Sequence, residues 1–273
     1  MSLPVALQLY SVRDEFAADL RGTLQQVKEM GYVGVELAGF GNYSPMEVKN
    51  ALTEADLHCI SAHVPYDVIA ADPAKVLADY KSVGCAYIVI PWLDMERAPG
   101  GEDFEGMIPE IEAMGKQAKE SGLTLLYHNH DFEFRKIGDK YGLDVLYERV
   151  PADLLQTQID TCWIKFVGID PADYLRKYKN RAPLVHIKDF TMGENFTGVP
   201  YGLIGADTET KKEAMSGFTF KAVGSGIQDV PAILQASLDV AAQWVIVEFD
   251  ASPERPPLET ARMSRDYLRK LGW

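Results

Sequence analysis

Leu125-Leu126-Tyr127-His128-Asn129-His130 is a short apolar run ending in two histidines, and three later runs share its form. They are Leu155-Gln156-Thr157-Gln158-Ile159-Asp160, Leu184-Val185-His186-Ile187-Lys188-Asp189 and Val245-Ile246-Val247-Glu248-Phe249-Asp250. A polar residue ending one apolar strand is ordinary. Four in succession, separated by helix-length segments, bring metal-binding side chains to one end of a parallel barrel, where the loops after strands build active sites.

Further runs complete the count: Val5–Tyr10, Val33–Leu37, His58–His63 and Tyr87–Pro91 precede Leu123–His128, Leu155–Asp160, Leu184–Lys188 and Val245–Phe249. Their near-continuous apolar character suits parallel strands covered by helices on the outside. Between them, Ser44-Pro45-Met46-Glu47 reads as a capping box with proline in the first turn, and Asp72-Pro73 and Asp170-Pro171 repeat the cap-plus-proline device. The expected fold is α/β, a single (β/α)8 TIM barrel of eight parallel strands, with residues 1–273 as one domain. A long loop excursion, Phe190 to Gly226, separates the seventh and eighth strands and lies over the barrel mouth as a lid or as a decoration.

With 47% apolar residues the chain has material for a large core, and its net charge of −13 opposes a nucleic-acid partner, which would require basic contacts to phosphate. Three cysteines without paired spacing fit buried thiols, and the N-terminus lacks the pattern of a signal or membrane segment. The expectation is therefore a cytoplasmic protein acting on a small molecule, with no membrane partner and with assembly into a homo-oligomer left open.

Asp160, His186 and Glu248 combine carboxylates with imidazole, a donor set suited to Mn²⁺, Co²⁺, Mg²⁺ or Zn²⁺. Each follows an apolar run, so a shared cation would offset the cost of burial. His128 and His130 lie two apart and share a strand face, Asn129 pointing away. Either can ligate while the other serves as acid, base or substrate clamp; we favour His128 as the fourth ligand and His130 as a catalytic group or a support behind the ligands. Glu36, His63 and Lys188 also end strand runs. Glu36 and Lys188 serve catalysis or make ion pairs, and His63 binds substrate or makes a loop hydrogen bond. Tyr10, Tyr66, Trp92, Phe132 and Trp163 supply an aromatic wall or simply pack. Gly224-Ser225-Gly226 offers backbone amides to an anion or is only a turn. No nucleotide-binding fingerprint is present, so no nucleotide cofactor is expected.

Together these motifs resemble the xylose isomerase-like barrels, the sugar phosphate isomerase/epimerase group that includes tagatose 3-epimerase-like enzymes and inosose dehydratases. The resemblance runs from Leu7-Gln8-Leu9-Tyr10-Ser11 and Gly34-Val35-Glu36-Leu37, through Tyr127-His128-Asn129-His130-Asp131-Phe132-Glu133-Phe134 and Val223-Gly224-Ser225-Gly226, to Val247-Glu248-Phe249-Asp250. It implies one divalent metal held by a glutamate, an aspartate, a histidine and a second glutamate from the last four strands. Asp160, His186 and Glu248 match the last three. The first glutamate, which pairs with the second for proton transfer in the epimerases, is replaced by the His128-Asn129-His130 run. Glu133, in the same motif, joins the expected substrate contacts.

The expected activity is a metal-dependent sugar isomerase or epimerase in which Glu248, His130 or Glu36 acts as the base that removes a proton beside a polarised carbonyl of a keto-sugar or cyclitol, giving an enediolate. A dehydratase or lyase on the same site is the alternative favoured by the missing glutamate. An endonuclease-like barrel and a non-catalytic sugar-binding protein are more distant rivals.

Overall fold

The computed structural model describes residues 2–193, 196 and 217–273, and eight parallel strands close into a barrel in chain order. They are β1 (Val5–Gln8), β2 (Gly34–Leu37), β3 (His58–His63), β4 (Tyr87–Ile90), β5 (Thr124–His128), β6 (Gln156–Asp160), β7 (Leu184–Ile187) and β8 (Trp244–Val247), which pairs back onto β1. All eight expected runs are strands, with ends displaced by at most two residues.

The helices begin where their caps predicted. Ser44 Oγ accepts from the Glu47 N–H while the Glu47 carboxylate accepts from the Ser44 N–H, closing the capping box of Pro45–Glu54. Asp72 and Asp170 cap Pro73–Val83 and Pro171–Arg176 by accepting the N–H of Lys75 and Asp173, without the return contact of a capping box.

Inside the barrel, side chains form layers. Ala6, Ile60, Tyr87, Val89, Leu126, Leu184 and Ile246 make an apolar floor. Because inward positions recur every two residues, the next layer consists of Gln8, Glu36, His128, Gln158, His186 and Glu248, all buried. The floor closes the far end of the barrel, so this polar layer meets water only from the mouth. One irregularity sets its alignment: the register between β2 and β3 shifts after Val35–Cys59, so that Ser61 lies opposite Glu36. The extra residue, Ile60, is absorbed as a bulge.

Beyond β7, Asp189–Met192 and Phe218–Lys221 form an antiparallel hairpin at the root of the expected excursion. Residues 194–195 and 197–216 of that excursion lie outside the described residues. Among the described residues no helix is long and apolar enough to cross a membrane. Cys59, Cys85 and Cys162 are free and buried.

Candidate metal centre and active site

Four strand ends place one ligand atom each from His128, Asp160, His186 and Glu248 within 4.8 Å of one another, all four side chains being buried. The register brings Asp160 beside His186, and His186 Nδ1 lies 2.8 Å from Glu248 Oε2. His128 Nε2 lies 3.5 Å from Asp160 Oδ2. Asp160 Oδ1 accepts the Cys162 N–H at 2.7 Å, whereas the buried Oδ2 has the ion pair to Lys188 Nζ at 3.1 Å and no well-directed hydrogen bond. Burial raises the Asp160 carboxyl to about 6, with Lys188 only partly opposing it. A buried carboxylate short of positive charge beside imidazole nitrogens is what a divalent cation would complete, so these residues fit such an ion.

Lys188 reaches the same carboxylates from above. Its Nζ lies 3.1 Å from Asp160, 3.0 Å from Glu248 and 2.9 Å from Asp250, and 5.4 Å from the centre of the Trp163 ring. Burial alone would raise the Glu248 carboxyl, but Lys188 and His186 outweigh it and hold Glu248 well below the usual carboxylate range.

His130 borders this cluster, its ring stacked on Phe132 and 5.1 Å from that of His128. Burial and the neighbouring Lys188 hold it well below the ordinary histidine range, so it is neutral near pH 7. Its backbone N–H donates to Glu133 Oε2 at 2.8 Å, and Tyr127 Oη donates to Glu133 Oε1 at 2.8 Å. Glu133 is fully buried, and burial lifts its carboxyl to about 8. This departs from the expected substrate contact: both oxygens are engaged in bracing the turn that carries His130.

Glu36 takes the ion-pair reading of the two that the sequence left open. Instead of facing the mouth as a base, it is fully buried and its oxygens are saturated. Oε1 accepts from Gln8 Nε2 at 2.7 Å and lies 2.8 Å from His186 Nε2 and 3.1 Å from His63 Nε2; Oε2 accepts from Ser61 at 2.5 Å and Gln158 at 2.6 Å. Burial would raise this carboxyl, but His63 and His186 outweigh it and keep Glu36 ionised.

The rim is less uniform than the sequence suggested. Tyr10 is 41% exposed under the Arg13 guanidinium, and Trp92 is half-buried against the core. Trp163 is fully buried and backs the site, in ring contact with His130 and Phe218. The Gly224 and Gly226 amides are not offered to an anion, because both donate to Asp189 Oδ2 at 2.9 Å. Gln8, Gln158, Ser61 and Asp250 were missed in the sequence. Period-two counting from Asp160 and Glu248 reaches Gln158 and Asp250; Gln8 and Ser61 gain meaning only from their contact with Glu36.

A family model described as "Xylose isomerase-like TIM barrel" matches residues 24–271. Inosose dehydratase of Geobacillus kaustophilus is 22% identical over 275 residues, covering 91% of this chain and 86% of that protein. Inosose dehydratase of Clostridium beijerinckii is 26% identical over 279 residues, covering 90% and 88%. A sugar phosphate isomerase/epimerase of Parabacteroides distasonis shares the fold with a TM-score of 0.77 at 23% identity, covering 98% of each chain.

Proposed function

The chain belongs to the xylose isomerase-like TIM barrel family, and we propose that it is a divalent-metal-dependent dehydratase of a keto-cyclitol or keto-sugar. One observation carries this choice over epimerisation. With His128 on β5 and Glu36 saturated by its own contacts, Glu248 is, among the described residues, the single glutamate in the cluster, and the neutral imidazole of His130 borders it. Among the described residues, the paired glutamates implied by the resemblance to epimerases have no second member in the cluster. The relatives named inosose dehydratase support the same reading.

A divalent ion held by His128, Asp160, His186 and Glu248 would supply Lewis acidity to a carbonyl and its neighbouring hydroxyl. His130, neutral and beside the cluster, takes the proton from the carbon next to the carbonyl. Lys188 opposes the negative charge that develops on oxygen. His130 then returns the proton to the departing β-hydroxyl, so one carbon–oxygen bond breaks, a carbon–carbon double bond forms and one water leaves. Phe132 and Trp163 wall the imidazole from solvent.

The test is turnover with Mn²⁺ or Co²⁺ on a panel of keto-cyclitols, including an inosose, and keto-sugars. Loss of one water by mass is expected, and His130→Ala should lower kcat by about 10²–10⁴-fold. Interconversion of stereoisomers without water loss would overturn the dehydratase in favour of an isomerase or epimerase.

A further inference from the structure

The polar layer that carries the ligands also contains Glu36, a carboxylate whose contacts lead to both histidine ligands, and we infer that it is a positioning residue that sets the tautomers of His186 and His128 so that each turns a lone pair toward the metal. This rests on the metal reading above but not on which reaction follows. The contact to His186 is direct: an ionised Glu36 only accepts, so the 2.8 Å approach of His186 Nε2 to Oε1 places a proton on Nε2. Nδ1, on the other edge of the ring, faces Glu248 and the cluster.

The contact to His128 passes through Gln158. Glu36 Oε2 can be approached at 2.6 Å only by the amide nitrogen of Gln158, which fixes which way that amide points. Gln158 Oε1 is thereby turned to the histidines, 2.9 Å from His128 Nδ1 and 2.6 Å from His63 Nε2. A carbonyl only accepts, so the proton of His128 sits on Nδ1. Its Nε2, on the side of Asp160, keeps its lone pair. The two ligands therefore hold opposite tautomers, imposed by one anion. Gln8 and Ser61 anchor that anion from β1 and β3, and the β3 bulge is what sets Ser61 opposite it. Orienting partners behind metal-bound histidines commonly change metal affinity by about 10–100-fold when removed.

Glu36→Gln is a sharp test because it changes direction rather than size. The new amide can still accept from His186, but its NH₂ would face the NH₂ of Gln158 and force that amide to turn over. Gln158 would then present NH₂ to His128 Nδ1, moving the His128 proton to Nε2. In Zn²⁺-loaded wild-type protein, ¹⁵N–¹H spectra of the five histidine side chains should give His186 protonated at Nε2 and His128 at Nδ1. Glu36→Gln should bind Mn²⁺ about 10–100-fold more weakly. Should it not fold, Gln158→Leu, which keeps the Glu36–His186 contact and removes the one to His128 together with those to Glu36 and His63, should weaken Mn²⁺ binding by a smaller factor. The opposite tautomer at either histidine in the wild type, or Mn²⁺ affinity unchanged in a folded variant, would overturn the inference while leaving the metal reading intact. A wild-type protein that binds neither ion would overturn both.

Discussion

The side-chain amide of Asn129 brackets the backbone of Asp160, its Oδ1 accepting from the Asp160 N–H at 2.9 Å and its Nδ2 donating to the Asp160 carbonyl at 3.2 Å. Strand β5 ends at His128, so this pair replaces the ladder where backbone pairing has stopped. It holds a candidate ligand in place while His128 and His130, on either side in sequence, turn toward the cluster. Asn129→Ala leaves a buried N–H and C=O unmatched, each at about 1–3 kcal/mol. The expected result is a lower urea midpoint together with weaker Mn²⁺ binding. Asn129→Asp should be worse, because a carboxylate cannot donate to the Asp160 carbonyl. A midpoint unchanged in Asn129→Ala would contradict this role.

Lys188 is a built-in cation among Asp160, Glu248 and Asp250. Removing one partner from a buried ionic cluster leaves the others uncompensated, at about 3–5 kcal/mol. Lys188→Met should therefore lower the melting temperature most in chelator-treated protein. A divalent ion supplies charge to the same carboxylates, so added Mn²⁺ should raise the melting temperature more in the variant than in the wild type, although turnover is lost. Equal metal-induced shifts in the two proteins would show that Lys188 and the metal do not share these carboxylates.

Protonation should be coupled to metal binding. Burial opposes charge on His186, but Glu36 and Glu248 outweigh it and raise its value from 6.5 to about 10. The folded value lies above the unfolded one, so the imidazolium stabilises the metal-free fold below about pH 6.5, a contribution lost as pH rises toward 10. Asp160, raised by burial from 3.8 to about 6, favours the metal-free fold at low pH and loses that contribution as pH rises through 6. A ligating His186 must give up its Nδ1 proton and Asp160 must be ionised. Calorimetry in buffers of different ionisation enthalpy should therefore find about one proton released per metal at pH 7, and a larger release with weaker binding below pH 6. Absence of proton release at pH 7 would place His186 outside the coordination set.

The barrel was legible because its signals are local. Apolar runs, capping aspartates and prolines mark each strand and helix, and strand ends carry the polar residues. His128, Asp160, His186 and Glu248 could be picked out because each ends a run. What stayed hidden depends on contacts between distant strands. Glu36 ends its run as Glu248 does, and no local pattern distinguishes a carboxylate facing the mouth from one locked beneath it. The distinction arises from Gln8, Ser61 and Gln158, 28, 25 and 122 residues away in sequence. Glu133 misled for a related reason: it sits on a short 3-10 turn after β5, where period-two counting no longer gives direction.

The Gly224-Ser225-Gly226 turn illustrates the same point and yields a further test. Asp189 Oδ2 accepts from the Gly224 and Gly226 amides, while Oδ1 accepts from Phe190 at 2.9 Å and Gln228 at 3.2 Å. Four backbone donors thus converge on one buried carboxylate, which welds the segment after Phe218–Lys221 to the end of β7. A Cβ on Gly226 would lie 2.1 Å from Asp189 Oδ1 and 2.3 Å from the Phe190 carbonyl, so Gly226→Ala must break this arrangement. Asp189→Ala instead leaves the donors without their acceptor, each buried loss being worth about 1–3 kcal/mol. Both variants should unfold at lower urea, and hydrogen exchange should accelerate at the amides of Gly224, Gly226 and Gln228. Because these amides already hold a carboxylate, inorganic phosphate should not protect them in the wild type. Phosphate-dependent protection at Gly224 and Gly226 would mean that Asp189 yields its place to an anion, and would reopen the case for a phosphorylated substrate.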